Sequence, residues 1–191
     1  SDVYKRQRLW GAKAPSGGRV EVLLVREHTP GVWAILASAR GPLREGQVVT
    51  FGGGEFSGTI RRDILPDSLA IEFDMDQSEV WECIHKYGQM PTPPYIKRGP
   101  DIPAETDALD RERYQTVFAR ELGSIAAPTA GLHFTPEILD GLKSRGVDIA
   151  RVILHVGPGT FQPVRTEIVE EHKMGSEYYE ITEEAADIIN K

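Results

Sequence analysis

Arg19-Val20-Glu21-Val22-Leu23-Leu24-Val25-Arg26, His28-Thr29-Pro30-Gly31 and Val32-Trp33-Ala34-Ile35-Leu36-Ala37-Ser38-Ala39 together decide the first part of the fold. The two flanking runs are rich in β-branched and aliphatic residues, and the segment between them is a turn signal. Further short β-rich runs follow at residues 47–51, 55–61 and 68–73, set off by Gly46, by Gly52-Gly53-Gly54 and by Pro66-Asp67. Short strands at this spacing predict a small antiparallel barrel or sandwich. The glycine run is not a phosphate loop, because neither Lys-Ser/Thr nor a helix start follows it. It is expected to be a hairpin turn.

Residues 78–87 predict a short helix with Ser78 as N-cap and Gly88 as the stop. Val80, Cys83 and Ile84 would form its inner face, which makes Cys83 a small core residue rather than a nucleophile. The proline-rich stretch 90–98 cannot be helical and is expected to run extended, at the domain boundary. Beyond it the pattern becomes α/β. A helix is expected over 110–121, capped by Asp110, with Tyr114, Val117 and Phe118 as its apolar stripe. Thr135-Pro136-Glu137 opens another helix that closes at Gly146. Residues 147–156 predict a strand, with Arg151 and His155 on one face. Thr182 caps a last helix that reaches Lys191 without a stop signal.

Bulk properties exclude little. The 191 residues have room for one large domain or two small ones, and hydrophobic (40%) and charged (27%) contents are those of an ordinary globular protein. No apolar run approaches the roughly 20 residues of a membrane helix, and no secretory signal opens the chain. A single cysteine rules out an internal disulfide and fits a cytoplasmic setting. The net charge of −7 argues against non-specific nucleic-acid binding, while leaving room for a local basic patch.

The chemistry concentrates in two stretches. Gly123-Ser124-Ile125-Ala126-Ala127-Pro128-Thr129-Ala130-Gly131-Leu132-His133-Phe134-Thr135 holds too many breakers for a core helix and too few charges for a solvated loop. Small residues permit close approach, and hydroxyl and imidazole groups supply directed hydrogen bonds, so a buried binding loop is expected. Leu154-His155-Val156-Gly157-Pro158-Gly159-Thr160-Phe161 repeats the recipe. Of the five histidines, His28 and His85 read as solvated, whereas His133, His155 and His172 lie among glycines, threonines or acids. No pair has zinc-ligand spacing, and no nucleophile elbow suggests a Ser-His-Asp triad. His133 and His155 are therefore acid/base or substrate-orienting candidates, set against a purely loop-shaping role. Arg165 with Glu167 is either a ligand clamp or a surface ion pair. The acidic run containing Glu170, Glu171, His172 and Glu177 is otherwise a solvated loop.

These motifs resemble a family. Pro93-Pro94-Tyr95-Ile96, Asp110-Arg111-Glu112-Arg113-Tyr114-Gln115-Thr116, the stretch 126–135 and Leu154-His155-Val156-Gly157, with Gly159-Thr160-Phe161, occur in order as in the S-adenosylmethionine:tRNA ribosyltransferase-isomerases of queuosine biosynthesis. The resemblance runs from about Arg8 to the last residue. It implies a mixed α/β fold: a small antiparallel β-barrel domain, with a short helix, over 8–95, inserted into an α/β catalytic domain represented here by 96–191. Residues 1–7 do not fit it and read as foreign. Further catalytic-domain sequence is expected before Arg8 and after Lys191, so the chain reads as an internal fragment, inactive alone. Gly175 stands where histidine is expected.

The implied activity is transfer and isomerisation of the ribosyl part of S-adenosylmethionine onto 7-aminomethyl-7-deazaguanine at the tRNA wobble position. The products are epoxyqueuosine-tRNA, methionine and adenine. S-adenosylmethionine is a co-substrate, so no cofactor or metal is implied; the protein is expected to be a cytoplasmic monomer off the membrane. The resemblance identifies motifs and not individual roles; our own assignment for such a reaction takes His133, His155, Glu167 and His172 as the catalytic candidates. Ser124, Thr129, Gly131, Gly157, Gly159, Thr160, Arg165 and Glu177 are the substrate-binding candidates. Lys97, Arg98, Arg111 and Arg113 are expected to contact tRNA, with Tyr95 or Phe134 stacking on an extruded base. A nucleoside glycosylase and a non-catalytic RNA-binding barrel remain alternatives.

Overall fold

The computed structural model describes residues 2–3, 7–65, 68–93, 95–119, 122–124, 126–157, 159, 166–172 and 175–191. They form two compact units. One comprises Lys5–Pro91 with Arg98–Pro103; the other comprises Thr92–Lys97 and Ala104–Lys191, joined by the strand β1 (Asp2–Val3).

The first unit is a closed six-stranded antiparallel barrel. Its strands are β2 (Arg8–Lys13), β3 (Arg19–Thr29), β4 (Val32–Ala39), β5 (Val48–Phe51), β6 (Phe56–Arg61) and β7 (Leu69–Phe73), in the order β2-β3-β4-β7-β6-β5. The β3–β4 turn is tighter than the sequence signal: Thr29 pairs with Val32, leaving only Pro30-Gly31 as the loop, with Gly31 at φ +79. The glycine run joins β5 to β6, and all three glycines have positive φ, which a residue with a Cβ rarely adopts. This is the hairpin turn that the sequence implied. Alternation along β3 sends Val20, Val22 and Leu24 inward, and Val49, Ile60 and Ile71 are likewise fully buried. Phe51, Phe56 and Phe73 stack across one end of the interior, with centroids 5.1–6.1 Å apart. Each such buried side chain stabilises the fold by about 1.5–3 kcal/mol, so the barrel holds a full core of its own.

Helix α1 (Gln77–Tyr87) follows, with Val80 and Ile84 fully buried. Its cap is Asp76, two residues before the expected Ser78; the Asp76 backbone N–H donates to the Glu79 carboxylate at 3.1 Å. An acid at the cap and an acid three residues later outcompete Ser78, because together they satisfy donors in both directions. Gly88 ends the helix as expected, but in an extended conformation (φ −72, ψ 146) rather than a left-handed one. Cys83 is half-buried, and burial pushes its thiol above the ordinary cysteine range, as befits a packing residue. Beyond Gly88, Gln89 exchanges backbone hydrogen bonds with Arg8 and accepts from the Trp10 indole at 2.9 Å, sewing the chain back onto β2. The proline-rich stretch is non-helical, although it turns where the Ile96 N–H donates to the Pro93 carbonyl at 2.9 Å.

Among the described residues, the second unit mixes helices with two small sheets. Its helices are α2 (Ala104–Arg113), α3 (Pro136–Ser144) and α4 (Glu183–Ile189). β1 pairs in parallel with β8 (Leu122–Ser124), and β9 (Val152–His155) pairs antiparallel with β10 (Tyr178–Ile181). Helix α2 departs most from expectation. It ends where the predicted helix was to begin its apolar stripe, and Asp110 lies buried inside it rather than capping it. The helix has no apolar stripe to find. Glu105 and Asp107 in its first turn and Arg111 and Arg113 in its last complement the helix dipole instead, and Asp107 pairs with Arg111 one turn away. Tyr114 and Thr116 then start a tight turn, in which the Thr116 hydroxyl accepts from the Phe118 N–H at 3.2 Å.

Local signals elsewhere in this unit succeed. Thr135 caps α3 by accepting from the Ile138 N–H, with Pro136 first in the helix, and Gly146 closes it at φ +75. Thr182 caps α4 by accepting from the Ala185 N–H at 3.2 Å. That helix stops at Ile189, with Asn190 as its C-cap, short of Lys191. The predicted strand over 147–156 shortens to β9, which leaves Arg151 outside it and removes its alternation with His155.

Candidate functional site

Ser124 organises the site. Its side chain is fully buried (0% exposed), and its hydroxyl donates to the Leu154 carbonyl at 3.2 Å while accepting from the Val156 N–H at 3.1 Å. A hydroxyl can do both at once. One side chain from the first motif therefore brackets His155 of the second motif from both sides along the backbone. Three residues on, the buried Ala127 donates its N–H to the Tyr114 phenol oxygen at 3.4 Å. Gly131 is buried so close to the next stretch that an added Cβ would lie 3.0 Å from Thr116 Cγ2 and 3.3 Å from the Phe118 ring. Residues 114–118 thus meet 127–131, and the same motif reaches 154–156 through Ser124.

Beyond Val156 the second motif is held by an acid. Glu177 Oε1 accepts the Gly157 N–H at 2.9 Å, so two residues named from sequence as substrate-binding candidates are joined directly. Glu177 leads into β10, where Tyr178 stands directly across from His155 and their rings lie 5.4 Å apart. His155 is half-buried. The strand pair therefore presents an imidazole beside a phenol, next to a loop containing Gly157 and Gly159.

Other candidates sit differently. Among the described residues of the first motif, Ser124, Ala126, Ala127 and Gly131 are inside, whereas Thr129, His133 and Thr135 are exposed on or after the helical turn Thr129–His133. The Thr135 hydroxyl is also the main cause holding the Glu137 carboxyl below the usual carboxylate range, so the motif's last residue serves the α3 N-terminus. Glu167 is exposed and His172 half-buried, either side of the short turn Val169–Glu171. Gly159 is exposed, with no atom within 4 Å of an added Cβ. Thr160 and Arg165 lie outside the described residues. Of the basic candidates, Lys97 and Arg113 are exposed, Arg98 is half-buried, and Arg111 is engaged by Asp107. Tyr95 is 77% exposed, and Phe134 packs edge-on against Phe118 while keeping a partly exposed face. Among the described residues, no group of three or more histidine, cysteine or acidic side chains is placed to hold a metal ion.

Sequence reasoning missed Tyr178 and misassigned Tyr114. The double tyrosine after Glu177 carried a usable signal: large rings alternating on a short strand put one on each face. Tyr114 was expected to lie on a helix stripe. Its role as acceptor for Ala127 depends on a contact between separated segments.

The sequence pattern of the queuosine biosynthesis protein family matches residues 2–191. The chain belongs to this family. Among solved structures, the chain is similar to the S-adenosylmethionine tRNA ribosyltransferase of Thermotoga maritima, at 19% identity and a TM-score of 0.36. The match covers 81% of this chain and 38% of that one, so the chain spans about two-fifths of the length of that relative. No described helix of this queuosine-family chain is long and apolar enough to cross a membrane.

Proposed function

We propose that this protein contributes the central part of an S-adenosylmethionine:tRNA ribosyltransferase-isomerase site. The enzyme would move the ribosyl group of S-adenosylmethionine onto 7-aminomethyl-7-deazaguanine in tRNA and release methionine and adenine. The observation that carries the proposal is the Ser124 hydroxyl bracketing His155, which unites the two stretches that look built for a ligand. Membership of the queuosine biosynthesis family supports it.

The reaction needs a base near the sulfonium-activated C5′ proton, a donor near the departing adenine, and partners for the ribose oxygens. The sulfonium supplies its own activation, so no metal or resident cofactor is invoked. His155, beside the glycine loop, is proposed to transfer a proton, because imidazole changes protonation near neutral pH. His133 is the second such candidate. Thr129 and Thr160 are assigned to ribose oxygens, and Arg165 to the methionine carboxylate. Glu167 and His172 are assigned as a base or as holders of the methionine ammonium. Glu177 keeps the Gly157 loop in shape through Oε1 and presents its charge at the same loop. Lys97, Arg98 and Arg113 are assigned to tRNA phosphates; Arg111, tied to Asp107, contributes less.

The test is adenine release from S-adenosylmethionine in the presence of substrate tRNA, measured on a full-length enzyme that contains this sequence. His155→Ala and His133→Ala should each lower the rate by about 100- to 10,000-fold if the side chain transfers a proton. Near-wild-type activity in both variants would remove them from the chemistry. Adenine release without tRNA would instead favour a glycosylase.

A further inference from the structure

The β9–β10 register sorts the side chains of this small sheet onto two unlike faces. Directly paired residues share a face, so Val152, Leu154, Tyr179 and Ile181 lie together on one side, and Ile153, His155, Tyr178 and Glu180 on the other. The first side is wholly apolar apart from one phenol. The second carries an imidazole, a phenol and a carboxylate around one aliphatic residue.

Tyr178 on this second face is 64% exposed, yet its ring stands 5.4 Å from His155, tilted by 51°. Glu177, immediately before Tyr178, fixes the Gly157 N–H, and among the described residues no atom lies within 4 Å of where a Cβ on Gly159 would be. Glu180 follows one strand period along the same face, about 7 Å further on. A flat ring facing water, an imidazole at its side and a carboxylate acceptor beyond form the chemistry of a stacking site for an amino-bearing heterocycle.

We propose that Tyr178, with His155 beside it, is the stacking surface for the adenine ring of the nucleoside co-substrate, and that Tyr178 is a specificity-determining residue of the site. Glu180 stands where it accepts from the exocyclic amine. The proposal rests on the assignment of S-adenosylmethionine as co-substrate. Stacking of this kind is sequence-tolerant and disappears with the ring, and alanine in place of the aromatic is expected to weaken binding by about tenfold. A tRNA base offers related ring chemistry, so the experiment must separate the two.

Binding is measured by calorimetry on this protein with S-adenosylmethionine, adenosine and methionine separately, and with an anticodon stem-loop RNA carrying the modified base. Tyr178→Ala and Tyr178→Leu should each weaken adenosine and S-adenosylmethionine about tenfold, with methionine unchanged, whereas Tyr178→Phe binds as wild type. Tyr178→Leu preserves an apolar strand residue, so a matching loss in both variants reports the missing ring rather than a damaged sheet. Unchanged adenosine affinity in Tyr178→Leu overturns the proposal. Loss of stem-loop binding with adenosine unaffected also overturns it, in favour of the tRNA base. A wild-type protein that binds neither adenosine nor S-adenosylmethionine sinks both this inference and the proposed function. If adenosine binding depends on Tyr178 but no adenine is ever released, the stacking surface stands and the reaction assignment falls.

Discussion

The two units differ in how they use apolar residues. The largest fully buried side chains, among them Phe51, Leu9, Leu24, Ile60 and Ile71, all belong to the barrel unit. Every large hydrophobic side chain found exposed among the described residues, from Tyr95 to Ile189, belongs to the other. A sheet that closes on itself removes its edges and buries one whole face, so six short strands suffice for a core. Among its described residues the second unit has two-stranded sheets, and a two-stranded sheet alone is marginal in water. Its organisation comes instead from specific hydrogen bonds: the Ser124 hydroxyl, the Tyr114 phenol and the Glu177 carboxylate. One unit is held by area, the other by a few directed contacts.

The largest effect that would break this contrast is expected in the barrel. Phe51→Ala removes a ring packed on both Phe56 and Phe73 and should lower stability by about 3–5 kcal/mol. Urea unfolding followed by circular dichroism measures it; a loss below about 1 kcal/mol would mean that the core is not close-packed there.

Next comes Ser124→Ala, which leaves the Val156 N–H and the Leu154 carbonyl without this shared partner and should cost about 1–3 kcal/mol. Hydrogen exchange should show the loss confined to the second unit, with barrel amides unchanged. Uniform loss of protection in both units would contradict the division into separately held parts.

A smaller change tests the local signals. Thr135→Ala deletes the α3 cap and should cost about 1 kcal/mol of helix stability, read as faster exchange of the first-turn amides.

The smallest effect is acid sensitivity. The Arg61 guanidinium holds Asp63 below the usual carboxylate range, while Tyr87 first and then Lys86 do the same for Glu55. A carboxylate depressed in the folded state contributes stability that is complete above its unfolded pKa of about 4 and is lost as pH falls through the folded value. Glu137 in the second unit behaves likewise through Thr135. All three groups are fully exposed, so Asp63→Asn and Glu137→Gln should flatten the acid limb of a thermal-melting profile only slightly. A strong flattening by either would show that solvent screens these charges less than their exposure implies.

How much of this was legible varies with the range of the interaction that decides each feature. Thr135-Pro136-Glu137, Thr182 and the glycine run at 52–54 were readable because the groups they satisfy lie within a few residues. Helix α2 was not, since it carries charges at its ends instead of an apolar stripe, and a search for periodicity passes over it. The cap of α1 was misplaced because Ser78 competes with an Asp76–Glu79 pair that looks equally local. In the site, the motif residues were visible as oddly small and uncharged, but their arrangement was not.

The amino-acid sequence by itself determined five of the barrel's six strands (β2 went unread), their turns, the stop of α1, both ends of α3 and the cap of α4, because alternation, backbone freedom at glycine and capping are settled by neighbours along the chain. It also singled out both loop motifs by composition. Only the tertiary structure decided that Ser124 brackets His155, that Glu177 is joined to Gly157, and that Tyr178 rather than Tyr179 shares a face with the histidine. Those outcomes depend on register and chain path over separations of 20 residues or more, and no local propensity encodes which strand residue arrives opposite which.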